Sequence, residues 1–307
     1  MRAALEEGHW FCSVVGLYST RMGLGDYALL DSGGGRKLER FGPVVLDRPA
    51  AQAVWRPSLS PEEWARADAV FDREGGHHWA YRRPLPESWV IEIEGLKFRL
   101  SATDFGHLGI FPEQQEQWRW IRAVVQRVRR AESRPVRLLN LFAYSGGATL
   151  AAASAQAEVC HVDASRGMVE WARANLALNG LEHATVRWIV EDVHKFLRRE
   201  ERRGRRYDAI VLDPPSFGRG PSGEVYKIER DLIVTLELCR AVLSESPWFV
   251  LLTAHTPGLS AWVLHNALRQ SLGAREGRWE CGEMLLRGRE GVYPLPNGSW
   301  ARWSRTD

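Results

Sequence analysis

Short apolar runs alternate with helical patterns from about residue 111 to the end of the chain, and no other feature limits the fold as strongly. Five runs have the length and composition of buried strands: 136–142, 159–162, 186–190, 207–212 and 249–253. The segments between them carry apolar residues at helical spacing, such as Met168, Ala172 and Leu176. Repeated β-α units of this kind form a mostly parallel sheet with helices on both faces. The sequence therefore predicts an α/β fold with a Rossmann-like sheet.

The remaining elements of this region complete the predicted sheet. Besides the helix around Ala172, helices are predicted over residues 113–130, 148–156, 194–203, 231–243 and 261–272. Two further runs, Trp279–Leu286 and Ser299–Ser304, are predicted to close the sheet as an antiparallel pair.

The first third of the chain has a different character, because it is rich in Gly, Pro and Trp and carries hairpin signals. Residues 27–30 and 36–41 flank the turn-forming segment 31–35, and residues 90–93 and 96–100 flank Glu94-Gly95. We predict a small β-rich domain over residues 25–104, followed by the α/β domain over residues 105–307. Residues 1–24 are expected to form a tail whose structure the sequence does not determine. The apolar run 10–18 is only weakly typical of a signal peptide, because acidic residues precede it.

Composition excludes several classes of protein. Apolar residues make up 45% of the 307, the net charge is +3, and no stretch approaches the ~20 apolar residues of a membrane span. The cysteines and histidines lack the spacing of a metal site. We expect a cytoplasmic protein without a bound metal.

Arginine dominates the basic residues, since lysine occurs only at positions 37, 97, 195 and 227 among 41 Lys and Arg. The arginines concentrate around residues 119–137, 198–206 and 275–305. Such clusters either form solvated helix faces or contact RNA phosphates and bases. Both interpretations are open from the sequence.

Three predicted strands end in residues that suit ligand binding. The first is followed by N-L-F-A-Y-S-G-G from Asn140 to Gly147, the second ends at Asp163, and the fourth runs into L-D-P-P-S-F from Leu212 to Phe217. In a parallel sheet these carboxyl ends meet where ligands bind. An acidic residue at the second strand end can accept hydrogen bonds from both hydroxyls of a ribose. The three signals together predict a nucleoside-containing ligand.

A nicotinamide dehydrogenase is disfavoured, because its first strand would be followed by G-x-G-x-x-G. The only such string is Gly218–Gly223, which follows the fourth strand and is interpreted as a flexible loop.

From about Phe105 to Arg305 the chain resembles class I S-adenosylmethionine-dependent methyltransferases. It looks closest to the bacterial large-subunit ribosomal RNA methyltransferases of the I and K type. That group carries G-x-F-x-x-Q before the first strand, and this chain has the match at Gly109–Gln114. The resemblance implies a seven-stranded methyltransferase sheet and S-adenosyl-L-methionine as methyl donor.

Donor contacts are implied for the residues that match the motifs of this group. They are Phe111, Gln114, Asn140, Phe142, Ala143, Tyr144, Ser145, Gly146, Asp163, Ala164, Ser165, Asp192, Val193 and Asp213. Among them Asp163 is expected at the ribose, Asp192 at the adenine amino group and Val193 at the ring.

The acceptor is expected beside Asp213-Pro214-Pro215, which the family uses to orient an exocyclic nitrogen. Stacking of Phe217 on a base and contact of Lys227 with a phosphate are candidate roles, and a structural role is open for each. For His255 a substrate-orienting role, a role as a base and a structural role are all open. Family members that methylate carbon 5 of cytosine carry a cysteine after the fifth strand, whereas residues 253–256 read Thr-Ala-His-Thr. The sequence therefore disfavours carbon-5 chemistry.

The leading hypothesis is methylation of a base nitrogen in ribosomal RNA, with the RNA or a precursor of the ribosomal subunit as partner. One alternative is a methyltransferase acting on a protein side chain or a small molecule. Another is a non-catalytic RNA-binding or assembly protein that keeps the fold. The N-terminal segment lacks the PUA-type pattern of the closest relatives, and the sequence predicts no oligomeric state.

Overall fold

The computed structural model describes residues 26–72, 78–132 and 134–306. The predicted tail over residues 1–24, with its apolar run 10–18, lies outside the described residues. In the part of the chain that is described, no helix is long and apolar enough to cross a membrane.

An N-terminal sheet and a separate hairpin form the first part of the structure. The sheet contains β1 (Tyr27–Gly33), β2 (Arg36–Phe41), β3 (Val44–Pro49), β4 (Ala69–Asp72) and β5 (His78–Tyr81), in that order, with α1 (Pro61–Trp64) before β4. Neighbouring strands are antiparallel except for β3 and β4. The hairpin consists of β6 (Trp89–Ile93) and β7 (Leu96–Leu100), which pair around Glu94-Gly95 as predicted.

The first hairpin turn is narrower than predicted, because only Gly34 and Gly35 leave the ladder while residues 31–33 stay in β1. Asp31 is held in the strand by its buried carboxylate, which accepts hydrogen bonds from the backbone N–H groups of Ser58 and Leu59 and from Trp64 Nε1. Its side chain therefore binds the segment from Ser58 to Trp64 and does not form a turn. The prediction that residues 31–33 belong to the turn was wrong.

The second part follows the predicted alternation of helix and strand. After a 3₁₀ turn at Pro112–Gln114, its elements are α2 (Gln115–Ala131), β8 (Arg137–Leu141), α3 (Gly147–Ser154), β9 (Glu158–Asp163), α4 (Arg166–Leu178), β10 (Val186–Val190), α5 (Val193–Arg202), β11 (Ala209–Leu212), β12 (Phe217–Arg219), β13 (Val225–Lys227), α6 (Ile228–Val242), β14 (Phe249–Ala254), α7 (Ala261–Leu272), β15 (Arg278–Leu286) and β16 (Leu295–Ser304).

Seven of these strands form one sheet in the order β10-β9-β8-β11-β14-β16-β15. The first five are parallel, and β16 and β15 are antiparallel additions at one edge. The chain fills the sheet outward from β8 to β10 and then returns to β11, so the strand order reverses beside β8. The predicted seven-stranded, mostly parallel sheet is confirmed, and the reversal places a ligand crevice at the carboxyl ends of the central strands.

The two faces of this sheet belong to different hydrophobic clusters. Leu138, Val211 and Leu251 face a cluster that contains α2, α3 and the apolar side chains of the N-terminal sheet and hairpin. Their strand neighbours, such as Leu139 and Leu252, face α5, α6 and α7. Because side chains alternate along a strand, both faces are covered. The N-terminal sheet thus shares a core with the α/β part, and the division at residues 104 and 105 stays a prediction.

Two local interpretations differ from the structure. The segment 218–223, interpreted as a flexible loop, begins in β12, which pairs antiparallel with β13. On α4, Ala172 and Leu176 are buried as their spacing predicts, together with Val169, whereas Met168 is only half-buried.

Candidate active site

A cavity of about 990 Å³ lies at the carboxyl ends of the central strands. This volume is at the upper end of the range for small-molecule and cofactor sites. Twelve of the residues singled out in the sequence line it: Phe111, Phe142, Tyr144, Ala164, Ser165, Asp163, Asp192, Val193, Asp213, Pro214, Pro215 and His255. Residues that are far apart in the chain therefore meet at one place.

The loop after β8 bends sharply into the cavity wall. Phe142 and Tyr144 have left-handed backbone with φ of 55° and 50°, and Gly146 follows at 94°. A non-glycine residue rarely adopts this conformation, so the surrounding contacts must hold it. The Phe111 and Tyr144 rings lie 5.1 Å apart between centroids, and Phe142 packs at 5.0 Å on Tyr226. The loop thus gives this part of the cavity an aromatic wall.

Asp163 joins this loop to the end of β9. Its Oδ2 accepts a hydrogen bond from the Tyr144 N–H and its Oδ1 one from the Ser165 N–H, both at 2.9 Å. Burial raises the pKa of Asp163, while these two N–H donors act in the opposite direction. Each carboxylate oxygen can accept a further hydrogen bond, so two acceptors face the cavity in a fixed orientation.

Asp192 stands at the N-terminus of α5, directly before Val193. Its Oδ1 accepts a hydrogen bond from the Lys195 N–H at 2.9 Å, so the side chain caps the helix. The second oxygen has no partner among the described hydrogen bonds of Asp192 and is available to a donor in the cavity.

A charged network closes the opposite part of the cavity. His255 follows β14, and its Nε2 lies 3.1 Å from Glu113 Oε1 while its Nδ1 lies 3.4 Å from Asp213 Oδ1. Gln114 Nε2 donates to the other oxygen of Asp213 and to Thr253 Oγ1, each at 3.1 Å. Asp213 is therefore held on both sides at the end of β11.

Two carboxylates raise the pKa of His255. Burial alone would lower its pKa, but the charges of Asp213 and Glu113 and their hydrogen bonds outweigh burial and raise the pKa to about 10. For Glu113, burial acts to raise the pKa, yet the hydrogen bond and charge of His255 dominate and lower it. A raised pKa favours the imidazolium, which fits an orienting role better than that of a general base.

Five residues with implied donor contacts lie behind the cavity lining: Gln114, Asn140, Ala143, Ser145 and Gly146. Asn140 is buried and donates to Thr149 Oγ1 at 2.9 Å, and Ser145 donates to the Gly109 carbonyl. The backbone of Gly146 begins α3. These residues shape the loop, and direct contact with the donor stays a prediction for each.

Phe217 and Lys227 are not among the cavity-lining residues. They lie opposite each other in the β12–β13 pair, where Phe217 is 51% exposed and Lys227 is exposed. Their predicted contacts with a base and a phosphate would need a substrate that reaches beyond the cavity.

Sequence reasoning missed the contribution of the N-terminal sheet. Lys37, Arg48, Phe71 and Phe105 also line the cavity, as does Glu113 from the 3₁₀ turn. For Lys37 the sequence holds one signal. Alternation in R-K-L-E-R-F places Lys37 and Glu39 on the face of β2 that carries apolar Phe41. Charges on a buried face indicate a specific function or a buried ion pair.

Several arginines of the three clusters bind carboxylates of the same chain. Arg119 pairs with Glu94, and Arg134 and Arg137 both pair with Asp208. In the other clusters the pairs are Arg199 with Glu191 and Arg302 with Glu280. These pairs give part of each cluster a structural role. Among the described residues, no group of three or more His, Cys, Asp and Glu is arranged to hold a metal ion.

A parallel sheet with acidic residues at successive strand ends and a large cavity beside the strand reversal defines a nucleoside-binding α/β enzyme. A family model of S-adenosylmethionine-dependent methyltransferases matches residues 66–240. The crystal structure of the S-adenosylmethionine-dependent methyltransferase from Agrobacterium tumefaciens is 41% identical, with a TM-score of 0.85 over 92% of this chain and 91% of that one. The chain belongs to this family, and S-adenosylmethionine is its methyl donor.

Curated relatives match over a shorter stretch. Ribosomal RNA large subunit methyltransferase I of Aeromonas salmonicida is 36% identical over 132 residues, which is 43% of this chain and 31% of that protein. Ribosomal RNA large subunit methyltransferase K/L of Syntrophotalea carbinolica is 36% identical over 149 residues, or 48% of this chain and 19% of that protein. The chain thus spans less than a third of the length of either relative.

Proposed function

We propose that this enzyme methylates a nitrogen of a base in ribosomal RNA. The observation that carries the proposal is Asp213, a carboxylate beside Pro214 and Pro215 that Gln114 and His255 hold from two sides. A fixed carboxylate accepts hydrogen bonds from an exocyclic amino group and so aims its nitrogen.

The residues at the ends of β9 and β10 fit S-adenosylmethionine. Asp163 presents one acceptor for each ribose hydroxyl, because both of its oxygens are fixed by backbone N–H groups. Asp192 Oδ2 is placed to accept from the adenine amino group, and Val193 supplies an apolar contact for the ring. When bound, the donor supplies an electrophilic methyl group on a sulfonium centre.

The chain contributes alignment and exclusion of water. Phe111, Tyr144 and the two prolines give the cavity apolar surface that excludes water. His255 stays charged, so it anchors Asp213 through the reaction and takes no proton from the acceptor. Alignment of this kind accounts for much of the rate gain in a displacement reaction.

The residues at the end of β14 and directly after it support a nitrogen target. Ala254, His255 and Thr256 line the cavity where carbon-5 methyltransferases of the related group carry a cysteine. Cys160 and Cys239 of the described chain are buried in the core instead. The names of the curated relatives support ribosomal RNA as the acceptor.

Labelled donor tests this proposal directly. Ribosomal RNA, ribosomal subunits and protein extract from cells lacking the gene are each incubated with the enzyme and S-adenosylmethionine carrying a labelled methyl group. We expect label in ribosomal RNA or in a subunit. Label confined to protein or to small molecules would refute the RNA acceptor while leaving the methyltransferase in place.

A further inference from the structure

A buried ion cluster on the N-terminal sheet faces the cavity. Glu39 is fully buried and accepts hydrogen bonds from Tyr27 Oη and Arg48 Nε, both at 2.9 Å, while Lys37 Nζ lies 3.4 Å from it. Lys37 is only 7% exposed, and it lines the cavity together with Arg48. Glu113 is also close enough to act on the charge of Lys37, so Lys37 and Arg48 lie among two buried carboxylates.

The two cations differ in how many of their N–H donors already have a partner. Arg48 donates hydrogen bonds from Nε and Nη2 to Glu39 and from Nη1 to the Gly106 carbonyl, the last at 3.0 Å. Lys37 has three N–H donors, and its ion pair within the described part of the chain is with Glu39. Burial lowers the pKa of Lys37, and Glu39 opposes this effect. Lys37 therefore keeps N–H donors that a ligand in the cavity can use.

Arg48 also anchors a loop that carries an aromatic side chain of the cavity wall. Its bond to Gly106 anchors a loop in which Gly106 has a φ of 76° and a Cβ would lie 2.5 Å from the Phe71 ring. The preceding residue, Phe105, lines the cavity and is 74% exposed. An exposed aromatic ring and the Lys37 ammonium therefore line the same cavity.

This cluster lies on the acceptor side of the cavity. Lys37 is close enough to Glu113 for its charge to lower the pKa of that carboxyl, and Glu113 binds His255 after β14. Asp163 stands at the end of β9, three strands away from β14 in the sheet order. Strands lie about 4.8 Å apart, so roughly 14 Å separates the proposed ribose position from this part of the wall.

We propose that Lys37 and Phe105 form the subsite for the acceptor nucleotide, with its phosphate on the Lys37 ammonium and a base against the Phe105 ring. This inference rests on the proposed function, because it assigns a nucleotide to the acceptor position. A compact ammonium binds a phosphate as a point charge, and an exposed aromatic ring stacks on any base.

Binding of mononucleotides to the enzyme loaded with S-adenosylhomocysteine tests the subsite. Titration calorimetry compares each nucleoside 5′-monophosphate with its nucleoside, and the phosphate should improve affinity about tenfold or more. Lys37→Met should remove most of this difference, Lys37→Arg should retain part of it, and Lys97→Met, an exposed lysine on β7, should leave it unchanged. Phe105→Ala should weaken nucleoside and monophosphate by the same factor.

Equal affinity for nucleoside and monophosphate in the parent enzyme would overturn the proposal, and so would an unchanged difference in Lys37→Met. Weaker binding of S-adenosylhomocysteine itself in Lys37→Met would assign Lys37 to the donor's carboxylate instead. The outcome of this test is distinct from that of the labelled-donor experiment. Mononucleotides can fail to bind although ribosomal RNA is methylated, and they can bind although ribosomal RNA is not methylated.

Discussion

Asp163 is the residue on which donor binding should depend most. Asp163→Asn keeps the shape and one acceptor oxygen but replaces the other by an NH₂ group, which faces a hydroxyl or a backbone N–H. A hydrogen bond to a charged group contributes about 1.5–3 kcal/mol, so we expect affinity for S-adenosylhomocysteine to fall at least about tenfold in calorimetry.

The matched control for this change is Glu170→Gln, which removes one negative charge from an exposed position on α4. It should leave the affinity within about twofold, since an exposed charge outside the cavity is screened by solvent. Unchanged affinity in Asp163→Asn, with a normal unfolding transition, would refute the ribose assignment.

His255 should make stability depend on pH. Its folded pKa of about 10 lies above the usual 6.5, so its contribution is fully present below pH 6.5 and is lost as the pH rises toward 10. Urea unfolding should therefore show His255→Gln destabilised most at pH 6.5, with a gap to the parent that narrows toward pH 10. A gap that is constant over this range would mean that Glu113 and Asp213 do not hold an imidazolium.

Individual site residues were readable from the sequence where their position in the chain fixed their place in the fold. Asp163 is the last residue of β9 and Asp213 directly follows β11, so the parallel sheet itself brings them to one edge. Glu113 and Lys37 carried no such mark, because they reach the cavity through contacts between distant segments. The role of His255 was left open because its pKa depends on two carboxylates that only the folded chain assembles.

At the scale of elements, the start of α3 depends on a close approach to α2. A Cβ on Gly147 would lie 2.6 Å from the Trp118 ring, which is buried and packs at 5.1 Å on Phe98 of β7. Gly147→Ala should therefore lower the free energy of unfolding by about 1–3 kcal/mol through overpacking. Thermal unfolding measures the effect.

Gly167→Ala supplies the control, because Gly167 is exposed in α4 and a Cβ there meets nothing closer than Ser165 Oγ at 3.9 Å. We expect this change to be neutral or stabilising by up to about 1 kcal/mol, since alanine restricts the unfolded chain. Equal effects of the two substitutions would show that contact with Trp118 does not constrain the loop after β8.

The parallel strands of the main sheet were predictable because each is a short apolar run and segments with helical spacing lie between them. Strands β3 to β5 were missed, since segments such as V-V-L-D-R-P mix buried charges with apolar residues. Their pattern makes sense only once partners are known: Asp47 binds Arg36, and Arg48 binds Glu39. Ion pairs between strands hide the alternation that marks an isolated strand.

At the scale of the whole molecule, the N-terminal sheet and the α/β part should unfold together. One hydrophobic cluster runs from Leu29 and Phe41 through α2 to Leu251, and Leu29 bridges to Gly288. Calorimetric and van't Hoff enthalpies of unfolding should therefore agree within error, as for one cooperative unit. Two separated transitions would instead show that the division at residues 104 and 105 marks independent units.

The identity of the methylated atom tests the central claim most directly. Ribosomal RNA from cells lacking the gene is treated with S-adenosylmethionine and either the parent enzyme or Asp213→Asn, digested to nucleosides and compared by mass spectrometry. We predict one nucleoside with a methyl group on a base nitrogen from the parent enzyme and at least about tenfold less from Asp213→Asn. A methyl group on carbon, or RNA that stays unmethylated with the parent enzyme, would contradict the account.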